Sequence, residues 1–282
     1  MYEHVTLQNW QFAGNACVVI MGSESVFNMH GGVIEKCSRA VMADSGTTFH
    51  MLGGKILNCV SGNDGGGIFL YKATFIMDGG IISGCEADAG GGLYADNSTV
   101  TISGGTISGC EGLLGGGLFA DQSTLTISGG TIKGNKAAYG GGVALRDSRV
   151  KEEEPITNWT VVDNKAYKTK TGTGYVGGGI YLENGSMNAS AGSNKIYNNT
   201  ADGHGADICL DGSSTIKLPN AAGMGAKYHD SGIKIDNWYN DNPRYTPSEN
   251  GEVVGAGVEL KGGLSLRIKQ ARCASKSTRT AA

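Results

Sequence analysis

Six side chains at regular spacing are the first place to look for chemistry. Tyr71, Asp96, Asp121, Arg146, Glu183 and Asp211 each close a short apolar run that follows a glycine-rich turn. Asp96 and Asp121 are 25 residues apart. If 25 residues make one structural repeat, the two carboxyls approach the ~5 Å separation of a retaining glycosidase pair. Arg146 would then be a lyase-type base or a substrate clamp. A plainer reading is available, because Asp is an ordinary turn residue that hydrogen-bonds the next backbone N–H, and Arg146 separates like charges. The expectation is therefore turn residues with no catalytic role. Asp96, Asp121, Arg146 and Glu183 are kept as the catalytic alternative.

Two residues earlier runs a second row. Phe69, Tyr94, Phe119, Ala144, Tyr181 and Cys209 each stand between two aliphatic residues, as in Ile68-Phe69-Leu70 and Leu118-Phe119-Ala120. On a strand the flanking aliphatics face inward and the middle residue faces out. The expectation is an exposed aromatic stripe, with Phe69, Tyr94, Phe119 and Tyr181 as binding residues for a carbohydrate or a host-surface protein. Stacking that merely stabilises the coils is the bland alternative.

Cys37, Cys59, Cys85 and Cys110 are 22, 26 and 25 residues apart. Stacked copies would hold parallel Cβ vectors too far apart for disulfides, and a linear row of thiols is no tetrahedral zinc site. They are expected to form one buried, reduced ladder that continues into Asn135. The five histidines, His4, His30, His50, His204 and His229, form no metal cluster by spacing; His204, between Asp202 and Asp207, is where one would sit. No metal or cofactor is expected.

The elements that position these rows are read from the repeat. Gly65, Gly90 and Gly115 each open a glycine triplet and a line of 25 residues, and Gly140 opens the next on schedule. A strict period means one unit copied and stacked. Within a line the apolar residues alternate, as in Val100-Thr101-Ile102, the period of a strand, and each run ends at a glycine pair. Three short strands fit around Leu93 to Ala95, Thr99 to Ser103 and Thr106 to Ser108, with no space for a helix. The prediction is an all-β chain: a right-handed, single-stranded parallel β-helix of about eight coils, each strand about 4.8 Å from its copy. Thr99/Thr101 and Thr124/Thr126 take outward strand positions.

Composition narrows the class. The chain has 282 residues, 48 of them glycine, at fixed places in each line rather than in a Gly-X-Y period; that is patterned turn chemistry. A net charge of −3 argues against a nucleic-acid partner. No apolar run approaches a membrane span. No leader pattern precedes the repeats, so a longer protein with flanking domains is expected.

Three regions are expected. Residues 1–227 are the repeat domain, most regular over 65–142. It carries insertions around Lys151 to Pro155 and Lys168 to Gly174, which would loop out from one face. Residues 228–266 lack coil register and carry Asn237-Trp238-Tyr239, which resembles the GWY segment of small β-grasp repeats of bacterial surface proteins. Residues 267–282 form a basic tail, expected to be disordered.

The lines "ISGGTISGC" and "ISGGTIKGN" after Gly-Gly-Gly-Ile/Leu/Val resemble the repeats of large bacterial surface adhesins with a pectate-lyase-like β-helix. They are also similar to chlamydial polymorphic outer-membrane proteins and autotransporter passengers, whose repeats carry GGA[ILV] and FxxN. Phe12-Ala-Gly-Asn15 matches FxxN, and Ile132 to Asn135, Val161 to Asn164 and Ile196 to Asn199 match it with an aliphatic in place of Phe. Cys at 37, 59, 85 and 110 replaces the Asn, and the third glycine replaces Ala, which favours an adhesin-like protein over a chlamydial one. The resemblance implies a non-catalytic stalk or passenger, secreted or displayed on the cell surface. Its alternative is a polysaccharide lyase or glycoside hydrolase, since the same fold hosts both.

Overall fold

The computed structural model describes residues 6–7, 16–151, 156–168, 175–188, 194–203, 205–211, 214–217, 234–235 and 238–239. Each short strand pairs in parallel with its copies one coil before and one coil after. Leu93–Asp96 lies between Ile68–Tyr71 and Leu118–Asp121. Thr99–Ile102 lies between Thr74–Met77 and Thr124–Ile127, and Thr106–Ser108 between Ile81–Ser83 and Thr131–Lys133. The copies build two nine-stranded sheets and one of eight strands, with a three-stranded sheet of Lys136–Ala137, Lys165–Ala166 and Thr200–Ala201. The expected parallel β-helix is the fold.

Two corners of each coil turn through a left-handed residue. One corner carries Asn58, Gly84, Gly109, Gly134, Asp163 and Asn198, and the other Lys72, Asn97, Gln122, Asp147 and Asn184, all with positive φ. Gly, Asn and Asp occupy this region most easily, which explains why one of them stands immediately before each of Cys59, Cys85, Cys110, Asn135, Asn164 and Asn199.

The alternation places one face of every strand inside. Ile34, Ile56, Ile82, Ile107, Ile132, Val161 and Ile196 form one buried column. Val41, Ile68, Leu93, Leu118, Val143 and Ile180 form another. Phe27, Phe49 and Phe75 stack with ring centroids 5.3 Å apart. Each fully buried aliphatic or aromatic contributes roughly 1.5–3 kcal/mol, once per coil.

Polar ladders run through the same interior. Asn135, Asn164 and Asn199 are buried, and each accepts through Oδ1 from the backbone N–H one coil earlier, at 2.9–3.0 Å. Their Nδ2 groups donate to the carbonyls of Ile107, Ile132 and Val161 at 3.0–3.1 Å. Asp207, fully buried at a third-glycine position, accepts from the amide of Asn199 at 2.7 Å and closes the row. A second ladder was not foreseen. Ser98, Ser123 and Ser148 are buried and accept from the N–H of Ala73, Ser98 and Ser123.

Two expectations need correction. Cys37 is not a reduced rung: it is bonded to Cys17, with Cα atoms 6.0 Å apart. Cys17 lies on Ala16–Ile20, which pairs with Arg39–Ala43, whereas Cys37 lies at the corner just before Arg39–Ala43; the two are not stacked copies, and the obstacle to bridging such copies does not apply. Cys59, Cys85 and Cys110 are free and buried, as expected. The hydrogen bond from Cys59 to Cys85, then burial, pushes the Cys59 thiol up, and a bond to Cys110 does the same at Cys85. Cys110, which receives that bond, is held lower. A thiol buried out of reach of the reagent does not alkylate. In the folded protein Cys59, Cys85 and Cys110 should resist a maleimide, and peptide mapping after mild reduction should label Cys17 and Cys37 before any of them.

The second correction concerns residues 228–266. Lys234–Ile235 pairs with Lys195 and Ile196, and Trp238–Tyr239 pairs with Ile208 and Cys209. Coil register therefore reappears where none was expected; the long spacing from the previous coil hid it. Phe12 to Asn15, the two insertions beyond Lys151 and Lys168, His4, His204, His229 and the basic tail lie outside the described residues.

Candidate functional site

The column that could do chemistry is assembled by register alone. Asp96 pairs with Asp121, Asp121 with Arg146, Arg146 with Glu183, and Glu183 with Asp211. These positions are half-buried rather than fully exposed: Asp96, Asp121, Arg146 and Glu183 are all intermediate. The Arg146 guanidinium donates to Oδ2 of Asp121. That carboxylate holds Arg146 above its ordinary value. The other oxygen, Oδ1, is buried without a hydrogen-bond partner among the described residues. A guanidinium held this way is a poorer proton acceptor, and the carboxyl it engages is not left to protonate a leaving group, as hydrolysis requires.

The aromatic row stacks as expected but is less exposed. Phe69 and Tyr94 lie parallel, within 6°, with centroids 5.3 Å apart, and both are half-buried. Phe119 and Tyr181 are only 2% and 5% exposed, so the exposed stripe must be corrected at these two positions. Leu114, Tyr139 and Val176 fold over the outer face and form a second apolar cluster with Phe119, Ala144, Tyr181 and Cys209. Cys209, placed in the same row, is fully buried and disulfide-bonded. Strand alternation separates inside from outside the coil, yet it does not reveal a neighbouring turn covering the outside.

Arginines flank the row. Arg39 lies 4.5 Å from the centroid of Phe69 and donates to the carbonyl of Asp64 at 2.7 Å, while Arg146 lies 5.2 Å from Phe119. Burial, followed by the charges of Asp64, Asp96 and Asp121, pushes the Tyr94 phenol up to about 12. What remains accessible is a short shelf of Phe69 and Tyr94 between cations.

A Ser-Asp-His set also occurs on the third sheet. Ser103 donates to Asp78, and His50 Nε2 lies 2.6 Å from the same carboxylate. Ser103 first, and His50 second, hold Asp78 below the usual carboxylate range. The order is wrong for nucleophilic catalysis, which needs the imidazole between hydroxyl and carboxylate. Among the described residues no three His, Cys, Asp or Glu side chains come together as a metal site, and no helix is long and apolar enough to cross a membrane.

A family model described as a right handed beta helix region matches residues 4–220. The chain belongs to the right-handed β-helix family. The hand expected from strand twist is that of the family, and the match spans every coil that carries the rows above. Comparison with curated proteins gives no match, nor does comparison with solved structures. Within the right-handed β-helix family the scaffold is common to unrelated activities, so function has to be argued from these side chains.

Proposed function

We propose that this β-helix is a non-catalytic stalk or passenger module of a secreted or surface-displayed bacterial adhesin-like protein, with a carbohydrate or host-surface protein as partner. The observation that carries this reading is the Asp121–Arg146 ion pair at the centre of the column best placed for chemistry. It ties up Arg146, the base a lyase would need, and engages the Asp121 carboxyl that a hydrolase would need as proton donor. The Cys17–Cys37 disulfide supports an oxidising compartment, and the adhesin-like repeats support surface display. Phe69 and Tyr94 are the part of the aromatic row still available for contact; Phe119 and Tyr181 contribute from beneath.

Asp96→Asn and Asp121→Asn test the reading against the enzyme alternative. Both should leave the fold intact by circular dichroism. Freeing Arg146 in Asp121→Asn should lower stability by no more than about 1 kcal/mol, as for a partly exposed pair. Wild type and variants are screened against uronic-acid and neutral polysaccharides, with and without calcium. Turnover in the wild type that either variant abolishes would replace the proposal with a lyase or hydrolase.

A further inference from the structure

One corner of the coil forms a groove that none of the rows above includes. Its first wall is the left-handed column Asn97, Gln122, Asp147 and Asn184. Its second wall, two residues on, is Thr124, Arg149 and Ser186, continued by Thr99 on the coil before. The residue between the walls turns inward: Ser98, Ser123 and Ser148 are the buried serine ladder, and Gly185 takes the same place on the next coil. The groove therefore runs along the solenoid axis over four coils, about 14 Å.

The chemistry of its walls is specific. They offer amides, hydroxyls, one carboxylate and one guanidinium. Gln122, Asp147 and Arg149 are exposed, and their side chains have no hydrogen-bond partner among the described residues. The floor cannot pair with an incoming peptide strand. The carbonyls of Ser98, Ser123 and Ser148 already accept from Thr124, Arg149 and Ser186, and the N–H groups of Ser98 and Ser123 are bonded along their own ladder. That excludes strand addition as the mode of recognition. Asp147 and Arg149 cancel in charge, which disfavours a polyanion.

Resting on the reading above as a binding module, we infer that this corner groove is a glycan subsite. It takes a linear, neutral oligosaccharide laid along the axis, its hydroxyls meeting one amide or hydroxyl side chain per coil. Side-chain amides both donate and accept, as sugar hydroxyls do, and a partner repeated every coil gains affinity with length.

The test uses isotope-labelled full chain, titrated with neutral gluco-oligosaccharides of increasing length and followed by NMR. Shifts should centre on residues 97–99, 122–124, 147–149 and 184–186, and affinity should rise with length. The double variant Gln122→Ala, Arg149→Ala should keep the wild-type spectrum elsewhere and weaken binding about tenfold, the effect of losing two such bonds. Shifts confined to Phe69 and Tyr94 would overturn the groove and leave the binding-module reading standing. Preference for an acidic oligosaccharide would overturn the inference, as would binding unchanged in the variant. If no oligosaccharide binds while a host-surface protein does, the groove is overturned and the partner class of the module is protein.

Discussion

Alanine at Gly91 is expected to cost more than about 3 kcal/mol, beyond the usual range for overpacking, while asparagine at Gly134 should shift stability by less than about 0.5 kcal/mol. A Cβ on Gly91 would lie under 3.0 Å from the carbonyl oxygens of Glu111 and Gly116, closer than real Cβ atoms come. Neither oxygen can give way, because both belong to backbone fixed by parallel pairing on either side. Gly66, Gly116 and Gly141 face the same pair of carbonyls in their own coils. At Gly134 the situation reverses. Its φ is +63° and an added Cβ meets nothing within 4 Å, so conformation is the sole difficulty. Asn58, Asp163 and Asn198 already take that corner in other coils. Urea unfolding with probes in several coils should separate the two glycines. Equal losses would mean that crowding within the triplet is not what selects glycine.

Replacing Asn164 by leucine is expected to lower stability by about 4 kcal/mol, although the shape is nearly conserved. Asn164 is fully buried. It accepts from the backbone and side-chain nitrogens of Asn135 at 3.0 and 2.9 Å, and donates to Ile132 O and Asn199 Oδ1 at 3.0 Å. Leucine leaves the Asn135 N–H without its interior acceptor and removes one bond each from the Asn135 side-chain amide, the Ile132 carbonyl and Asn199 Oδ1. The orphaned N–H costs about 1–3 kcal/mol and each of the other lost bonds about 1 kcal/mol, partly offset by the apolar side chain gained. Hydrogen exchange should localise the damage, with the Asn135 amide losing protection first. Retained protection at Asn135 would show that the ladder is not what holds adjoining coils together.

The fold was legible because its instructions repeat. The triplets at Gly65, Gly90 and Gly115 mark equivalent places on successive coils, and the alternation around Val100 and Leu125 states which side is inside. FxxN-like matches ending at Asn135, Asn164 and Asn199 pointed to the positions of the amide ladder. What escaped depends on contacts no local pattern encodes. Cys17 lies outside the periodic column, so its bond to Cys37 had no spacing signal. Phe119 reads as outward, which it is, yet Leu114 and Tyr139 cover it from the outside. The serine ladder left a trace that was passed over: Ser98, Ser123 and Ser148 each follow by two the column residue Asp96, Asp121 or Arg146. A hydroxyl at a corner reads as a turn residue until its hydrogen bond to the neighbouring coil is seen.

The pairing of each strand with its own copy also makes length a free variable. Ile68–Tyr71, Leu93–Asp96 and Leu118–Asp121 are interchangeable rungs in one register. A duplication or loss of the 25 residues from one triplet to the next leaves every surviving hydrogen bond facing an equivalent partner. The ends move apart or together by about 4.8 Å per event, and no other part of the molecule has to be redesigned. Such a chain behaves as a ruler graduated in single coils, whose reach can be altered by copying DNA rather than by inventing sequence.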